Sequence, residues 1–235
     1  MTRPGTMALG RSVVARCVAT AAVAALGVAG LTGCDSETQV RSQKASEATI
    51  VPTDRAKVPA GWTVHRGPGF TVAVPPEWKP MPDDQRAAPS AALEVGVPFT
   101  GQPTSPAVFF AFVEREQVGP LVYREPLLRA QLEAGIPGVT LGDSTRIEIA
   151  GSSDALYFDV LYEDEGGTSV LGTKLEPTVC RQRELIIETP GLPKYGFRYG
   201  APQDQFDEQV WQQIARSIVV TVGADDTTTT ATSTG

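Results

Sequence analysis

From Trp62 to Thr189 apolar side chains recur at alternate positions, and this period of two most constrains what the chain can build. Alternation places successive side chains on opposite faces of a strand. Trp62-Thr63-Val64-His65-Arg66, then Gly67-Pro68-Gly69, then Phe70-Thr71-Val72-Ala73-Val74 reads as a hairpin. Pro75-Pro76 ends its second strand, because proline has no N–H to give to a ladder. Leu93 to Val97 and Ala107 to Glu114 form another pair around a Thr/Gly/Pro loop. Thr145 to Ala150 and Ala155 to Tyr162 flank Gly151-Ser152-Ser153-Asp154, and further strands are expected over Ser169 to Leu175 and Cys180 to Thr189. Glu163-Asp164-Glu165-Gly166-Gly167 reads as a turn in which glycine supplies positive φ.

Two segments break this period. Pro126 to Ala134 has proline where a first helical turn accepts it, Leu128 and Leu132 on one side, and Gly135 as a stop. Phe206, Val210, Ile214 and Ile218 fall four residues apart, with Trp211 and Ala215 widening the stripe, which predicts an amphipathic helix. Asp204 is its expected N-cap, and Asp207 suits the positive end of the helix dipole. Strands, a helix, four strands and a second helix predict an α+β domain, a mostly antiparallel β-sheet flanked by helices.

The first 33 residues stand outside this pattern. Arg3, Arg11 and Arg16 precede a run of apolar and small residues from Val18 to Leu31, and no Asp or Glu occurs before Asp35. Those 14 residues are fewer than the roughly 20 that cross a bilayer core, and they match the apolar stretch of a secretory signal. The leader closes on Leu31-Thr32-Gly33-Cys34, which resembles the lipobox of bacterial lipoproteins. That resemblance implies cleavage before Cys34 and a diacylglyceryl group on its sulfur. Two acyl chains give stable anchoring, at about 0.8 kcal/mol per buried methylene. Residues 34–59 read as a polar tether, 60–222 as the folded domain, and the Thr-rich stretch 223–235 as a low-complexity tail and candidate glycosylation site.

Charge narrows the partners. Removing three leader arginines from the 20 bases leaves 17 against 27 acids, a net charge of −10. So acidic a chain is not expected to bind nucleic acid, or to use charge to approach an anionic membrane. About 160 residues remain for folding, enough for one domain with a real core. With Cys17 in the leader and Cys34 taken by lipid, Cys180 would be left as a buried structural cysteine with no internal disulfide.

Gly69-Phe70-Thr71-Val72-Ala73-Val74-Pro75-Pro76-Glu77-Trp78 resembles the opening motif of small actinobacterial lipoproteins of the LpqN type, which are similar in fold to PsbP. Phe206 to Val220 resembles that family's closing helix and strand. The resemblance spans about residues 62–222. It implies an α-β-α sandwich serving as an anchored, usually non-enzymatic binding module, and it carries no catalytic residues over. Trp78 is expected to wedge beneath the strand end.

Signals for catalysis are sparse. His65 is the one histidine, so a Ser-His-Asp triad, a Cys-His pair or a multi-histidine metal site would have to use it, and its place in the first hairpin suggests an exposed ring. There is no G-x-S-x-G elbow, G-x-G-x-x-G or phosphate loop. Glu163, Asp164 and Glu165 lack the alternating ligand order of a tight calcium site. Lys194-Tyr195-Gly196-Phe197-Arg198-Tyr199-Gly200 reads as a glycine-flexed loop whose aromatics are first expected to tuck against the sheet beneath the last helix. If the domain has a binding site, Tyr195, Phe197, Arg198 and Tyr199 are its candidates, forming an exposed aromatic patch, since aromatics and arginine anchor recognition surfaces.

The expectation is a monomeric, lipid-anchored protein on the outer face of the cytoplasmic membrane. It would need no cofactor and would dock on an envelope protein or wall component. A carrier of a small apolar or lipid ligand is the alternative, with a pocket between sheet and helix, followed by an envelope hydrolase using His65 or a carboxylate pair.

Overall fold

A computed structural model describes residues 49–82, 86–116, 119–169 and 172–221. Cys34, the Leu31-Thr32-Gly33 motif, the leader and the Thr-rich tail lie outside the described residues.

The first strands are β1 (Thr63–Gly67), β2 (Phe70–Val74), β3 (Lys79–Pro80), β4 (Leu93–Gly96) and β5 (Val108–Glu114). Helix α1 (Leu121–Gly135) follows, and then β6 (Thr140–Leu141), β7 (Thr145–Arg146), β8 (Asp154–Asp164), β9 (Gly167–Thr168), β10 (Lys174–Leu175), β11 (Thr178–Glu188) and β12 (Lys194–Pro202). Helix α2 (Glu208–Ser217) and β13 (Val219–Val220) close the domain. The main sheet runs β3-β4-β5-β12-β11-β8-β6 with β7 also paired to β8, and every one of these pairings is antiparallel. A smaller sheet has the order β1-β2-β13.

Alternation sorts the core by face. Odd-numbered Phe109, Ala111, Leu185, Ile187, Tyr195, Phe197 and Tyr199 point to one face, where α2 and the small sheet cover them through Trp211, Ile214, Ile218, Phe70 and Val72. Even-numbered Leu156, Phe158, Val160, Tyr162, Cys180 and Ile186 point to the other face, beneath Leu121, Leu132 and Ile136 of α1. Beside α1 on that second face, Ala88 and Ala91 cover Val108 and Phe110. One helix on each face gives the α+β layering that the sequence predicts.

Side-chain bonds fasten the layers. The Ser217 hydroxyl accepts from Ala73 N–H at 2.8 Å and lies 2.7 Å from the Ile214 carbonyl, tying α2 to β2. The Tyr195 hydroxyl sits 2.8 Å from both the Gly69 and Thr221 carbonyls, tying β12 to the small sheet. Gly151 has φ +84°, and a Cβ there would lie 1.9 Å from the Val220 carbonyl oxygen, so β13 can close only over glycine.

Several boundaries differ from the sequence reading. Helix α1 starts at Leu121 and carries Pro126 inside it, on an exposed position, rather than at its first turn. The N-cap of α2 is Asp207, whose carboxylate accepts from Gln209 and Val210 N–H, while Asp204 sits in a short 3-10 turn before it. Ser169 to Leu175 is not one strand: β9 and β10 form a hairpin, with Ser169 at its turn accepting from Gly172 and Thr173 N–H. Residues assigned to the tether join the domain, because Val51 exchanges backbone hydrogen bonds with Ser152 and Gly151, and Lys57 N–H donates to Arg216. Ile50-Val51 is where apolar residues resume after the polar stretch. Cys180 is fully buried as expected, and in the unprocessed 235-residue chain it is disulfide-bonded, whereas the expectation of no internal disulfide concerned the processed chain. That expectation removed Cys17 and Cys34 through processing, whereas the full chain retains all three cysteines.

Candidate functional site

Lys194 to Gly200, expected as a loop, belongs to strand β12 (Lys194–Pro202), which lies at the middle of the main sheet between β5 and β11. Tyr195, Phe197 and Tyr199 are each no more than 1% exposed, and Arg198 is 7% exposed. The aromatics are therefore core residues packed beneath α2, as the first reading of this segment expected, and they form no exposed patch there. The alternation was present in the sequence. Gly196 and Gly200 disguised it, because glycine is depleted in strands and leaves gaps where side chains are expected.

Those glycines shape the second face. The strand's second-face positions are Lys194, Gly196, Arg198 and Gly200, flanked by α1 above β8 and β11 and by residues 87–91 above β4 and β5. Gly196 is only half-buried, and a Cβ built on it would meet nothing nearer than the Phe112 Cβ at 4.0 Å. Gly196 thus leaves a gap in the side-chain cover of this face at the centre of the sheet.

Buried charged side chains lie on the same face. Arg198 Nε donates to Glu184 Oε1 at 2.5 Å across the β12–β11 pair, and its guanidinium lies 5.3 Å from the Phe112 ring centroid. Gln182 Nε2 donates to the same Glu184 oxygen at 2.5 Å, while Gln182 Oε1 has no hydrogen-bond partner among the described residues despite complete burial. Glu94, 3% exposed, accepts from Ala87 N–H at 3.0 Å and Ala88 N–H at 3.2 Å, holding the covering segment on the sheet. At the Lys194 end of β12, Arg124 of α1 donates to Glu114 at 2.9 Å and to the Ile187 carbonyl at 3.0 Å, and Lys194 is paired with Glu188.

A second network sits on the opposite face, at the start of α2. Arg183, 3% exposed, donates to both oxygens of Asp159 at 2.7 and 3.0 Å and to Glu208 at 2.6 Å, and it lies over Tyr157 at 4.7 Å. Arg181 donates to Asp159 at 2.6 Å and covers the Phe206 ring at 4.3 Å. Burial acts to raise the Asp159 carboxyl, but the hydrogen bonds from Arg183 and Arg181 outweigh it and hold the group below its usual range. Tyr199 beneath this network is pushed up to about 12, chiefly by burial.

The other sequence candidates lie apart from these networks. His65 is half-buried rather than exposed; burial, with Lys79 nearby, lowers its pKa, and its Nε2 has no hydrogen-bond partner among the described residues. It pairs with Val72 in the small sheet, away from both charge networks. Glu163 and Glu165 are exposed, and Asp164 accepts from Gly166 N–H while burial raises its carboxyl. Among the described residues no group of three or more His, Cys, Asp or Glu side chains is arranged to hold a metal ion. Trp78 is buried and packs 5.8 Å from Tyr199, a wedge under the end of β2.

The sequence reading missed Gln182, Glu184 and Glu94. Glu94 fits the alternation Leu93-Glu94-Val95 as a solvent-facing residue would, and Arg181-Gln182-Arg183-Glu184 is a polar run that reads as exposed, yet all three are buried. In chemical terms both networks join bases to acids and tie a covering element to the sheet.

No family model matches the chain, and no curated protein matches it. Among solved structures it is similar to LpqN of Mycobacterium tuberculosis, described as involved in cell envelope biogenesis, at 17% identity and a TM-score of 0.44 over 68% of this chain and 91% of that one. It is similar at 10% identity and a TM-score of 0.41 to the Ran-binding protein Mog1p of Saccharomyces cerevisiae, over 65% of this chain and 90% of that one. A protein of Bacteroides thetaiotaomicron is similar at 11% identity and a TM-score of 0.44 over 70% of this chain, which spans about half (49%) of that protein's length. The fold assignment rests on the sheet order and the two-faced packing described above: an α+β domain with a mostly antiparallel sheet between helices.

Proposed function

We propose that the chain is an exported, lipid-anchored binding or accessory module of the cell envelope, and that it works without catalysing a reaction. The observation that carries this reading is the join between leader and domain. A basic then apolar segment closes on Leu31-Thr32-Gly33-Cys34, and a folded α+β domain begins about 15 residues later. The buried bases Arg124, Arg183, Lys194 and Arg198 each have an acid partner and serve to fasten elements, which leaves the surface as the working part of the molecule. In this reading the domain docks on an envelope protein or wall component, held near it by diacylglyceryl-Cys34 on the outer face of the cytoplasmic membrane. High local concentration from such a tether lets a weak interface suffice.

The test is Cys34→Ala in the full chain, expressed in its own host. The variant is expected to accumulate with its leader attached and without diacylglycerol. Processing and membrane attachment identical to the parent chain contradict the proposal.

A further inference from the structure

Among the described residues eight large hydrophobic side chains stand exposed, and five of them gather at one end of the domain. Asp154 pairs with Glu188 across β8 and β11, and Lys194 pairs with Glu114 across β12 and β5, so these four residues mark that end of the main sheet. Helix α1 begins there, since Arg124 bonds to Glu114 and the Ile187 carbonyl. Val122 is 67% exposed, Tyr123 70% and Leu127 60%, on successive turns of the helix side turned away from the sheet. Leu192, 39% exposed, lies in the connection from β11 to β12 at the same end. Ile50, 48% exposed, precedes Val51, which is hydrogen-bonded to Ser152 immediately before β8.

An apolar helix face in water is unfavourable unless something covers it. The chain's course points to the occupant. The first described residue, Thr49, emerges at this same end, and the fifteen residues from Cys34 to it span at most about 50 Å. The lipid-anchored reading therefore brings the chain from the membrane into the domain at the apolar end, within reach of the bilayer.

We propose that this end, with the outward face of α1, docks on the lipid surface, with Val122 and Leu127 entering the interfacial layer and Tyr123 at headgroup level. The inference rests on the anchored reading and deepens it by fixing which end of the module faces the membrane. Apolar side chains make the contact, and Arg124 and Arg129 of α1 are already paired with Glu114 and Glu125. The surface suits zwitterionic lipid such as phosphatidylcholine, and salt should leave the docking unchanged. The opposite end of the sheet is then left open to a partner.

The test uses the full lipidated chain in phosphatidylcholine vesicles whose acyl chains carry bromine, a contact quencher of indole. Tyr123→Trp places a reporter on the proposed surface, and Val179→Trp places one at the far end of β11, where the side chain is 42% exposed. Emission from position 123 should fall about twofold relative to position 179, unchanged in 1 M salt, and adding Val122→Ser with Leu127→Ser should abolish the difference. Vesicle flotation reads the anchor separately. A chain that floats with equal quenching at both positions overturns the docking and leaves the anchor standing. A chain that does not float overturns the anchor, and the docking falls with it. Crosslinking of position 123 to a second copy or to another protein, in place of quenching, also overturns the docking.

Discussion

Arg198 and Glu184 face each other on neighbouring strands at the centre of the sheet, 2.5 Å apart and almost wholly shielded from water. Removing one partner of such a pair leaves an uncompensated buried charge, which typically costs about 3–5 kcal/mol. Arg198→Met should therefore destabilise the domain by about that amount in urea titration. Arg198→Met combined with Glu184→Leu should recover most of the loss, because neither charge then remains. A double variant as unstable as the single one would show that the pair is not the source of the effect.

Asp159 gives the domain a predictable acid response. Its folded pKa lies below the unfolded value of 3.8, so its contribution is fully present above that value and is lost as pH falls through the folded pKa. Asp159→Asn should lower stability at pH 7 by about 1–3 kcal/mol, the usual worth of hydrogen bonds to a charged group. The difference between parent and variant should shrink as pH drops below about 4. Urea midpoints measured from pH 3 to 7 check both parts.

Gly151 supports the closure of the domain by β13. A side chain there meets the Val220 carbonyl, in a backbone conformation that costs other residues about 1–3 kcal/mol. Gly151→Ala should lose at least that much, and hydrogen exchange should rise first at Val220, whose N–H donates to the Ala150 carbonyl. Gly138, also at positive φ (+71°), has nothing within 4 Å of a built Cβ, so Gly138→Ala should cost only the backbone term.

Most of the fold was legible because alternation is a strong signal wherever strands are unbroken by glycine. Phe70–Val74 appears in the structure with the limits read from the sequence, and the stripe of Val210, Trp211, Ile214 and Ile218 is the face that α2 and its C-cap bury. Legibility failed where one residue serves two grammars. Gly196 and Gly200 spoke for a loop but occupy a central strand. Pro126 spoke for a helix start but lies in the second turn of α1, exposed. The candidate site was less legible than the fold. Glu94 alternates with Leu93 and Val95, Gln182 and Glu184 lie in a polar run, and only the sheet order sets Glu184 opposite Arg198. The exposed face of α1 was hidden as well, since Val122, Tyr123 and Leu127 read as apolar without saying which side of the helix the sheet takes.

The most direct measurement is the mass of the N-terminal peptide of the mature protein, isolated from membranes of its own host. The account predicts a peptide that begins at Cys34 with diacylglycerol on its sulfur. A chain recovered from the soluble fraction with residues 1–33 attached and Cys34 unmodified would contradict it.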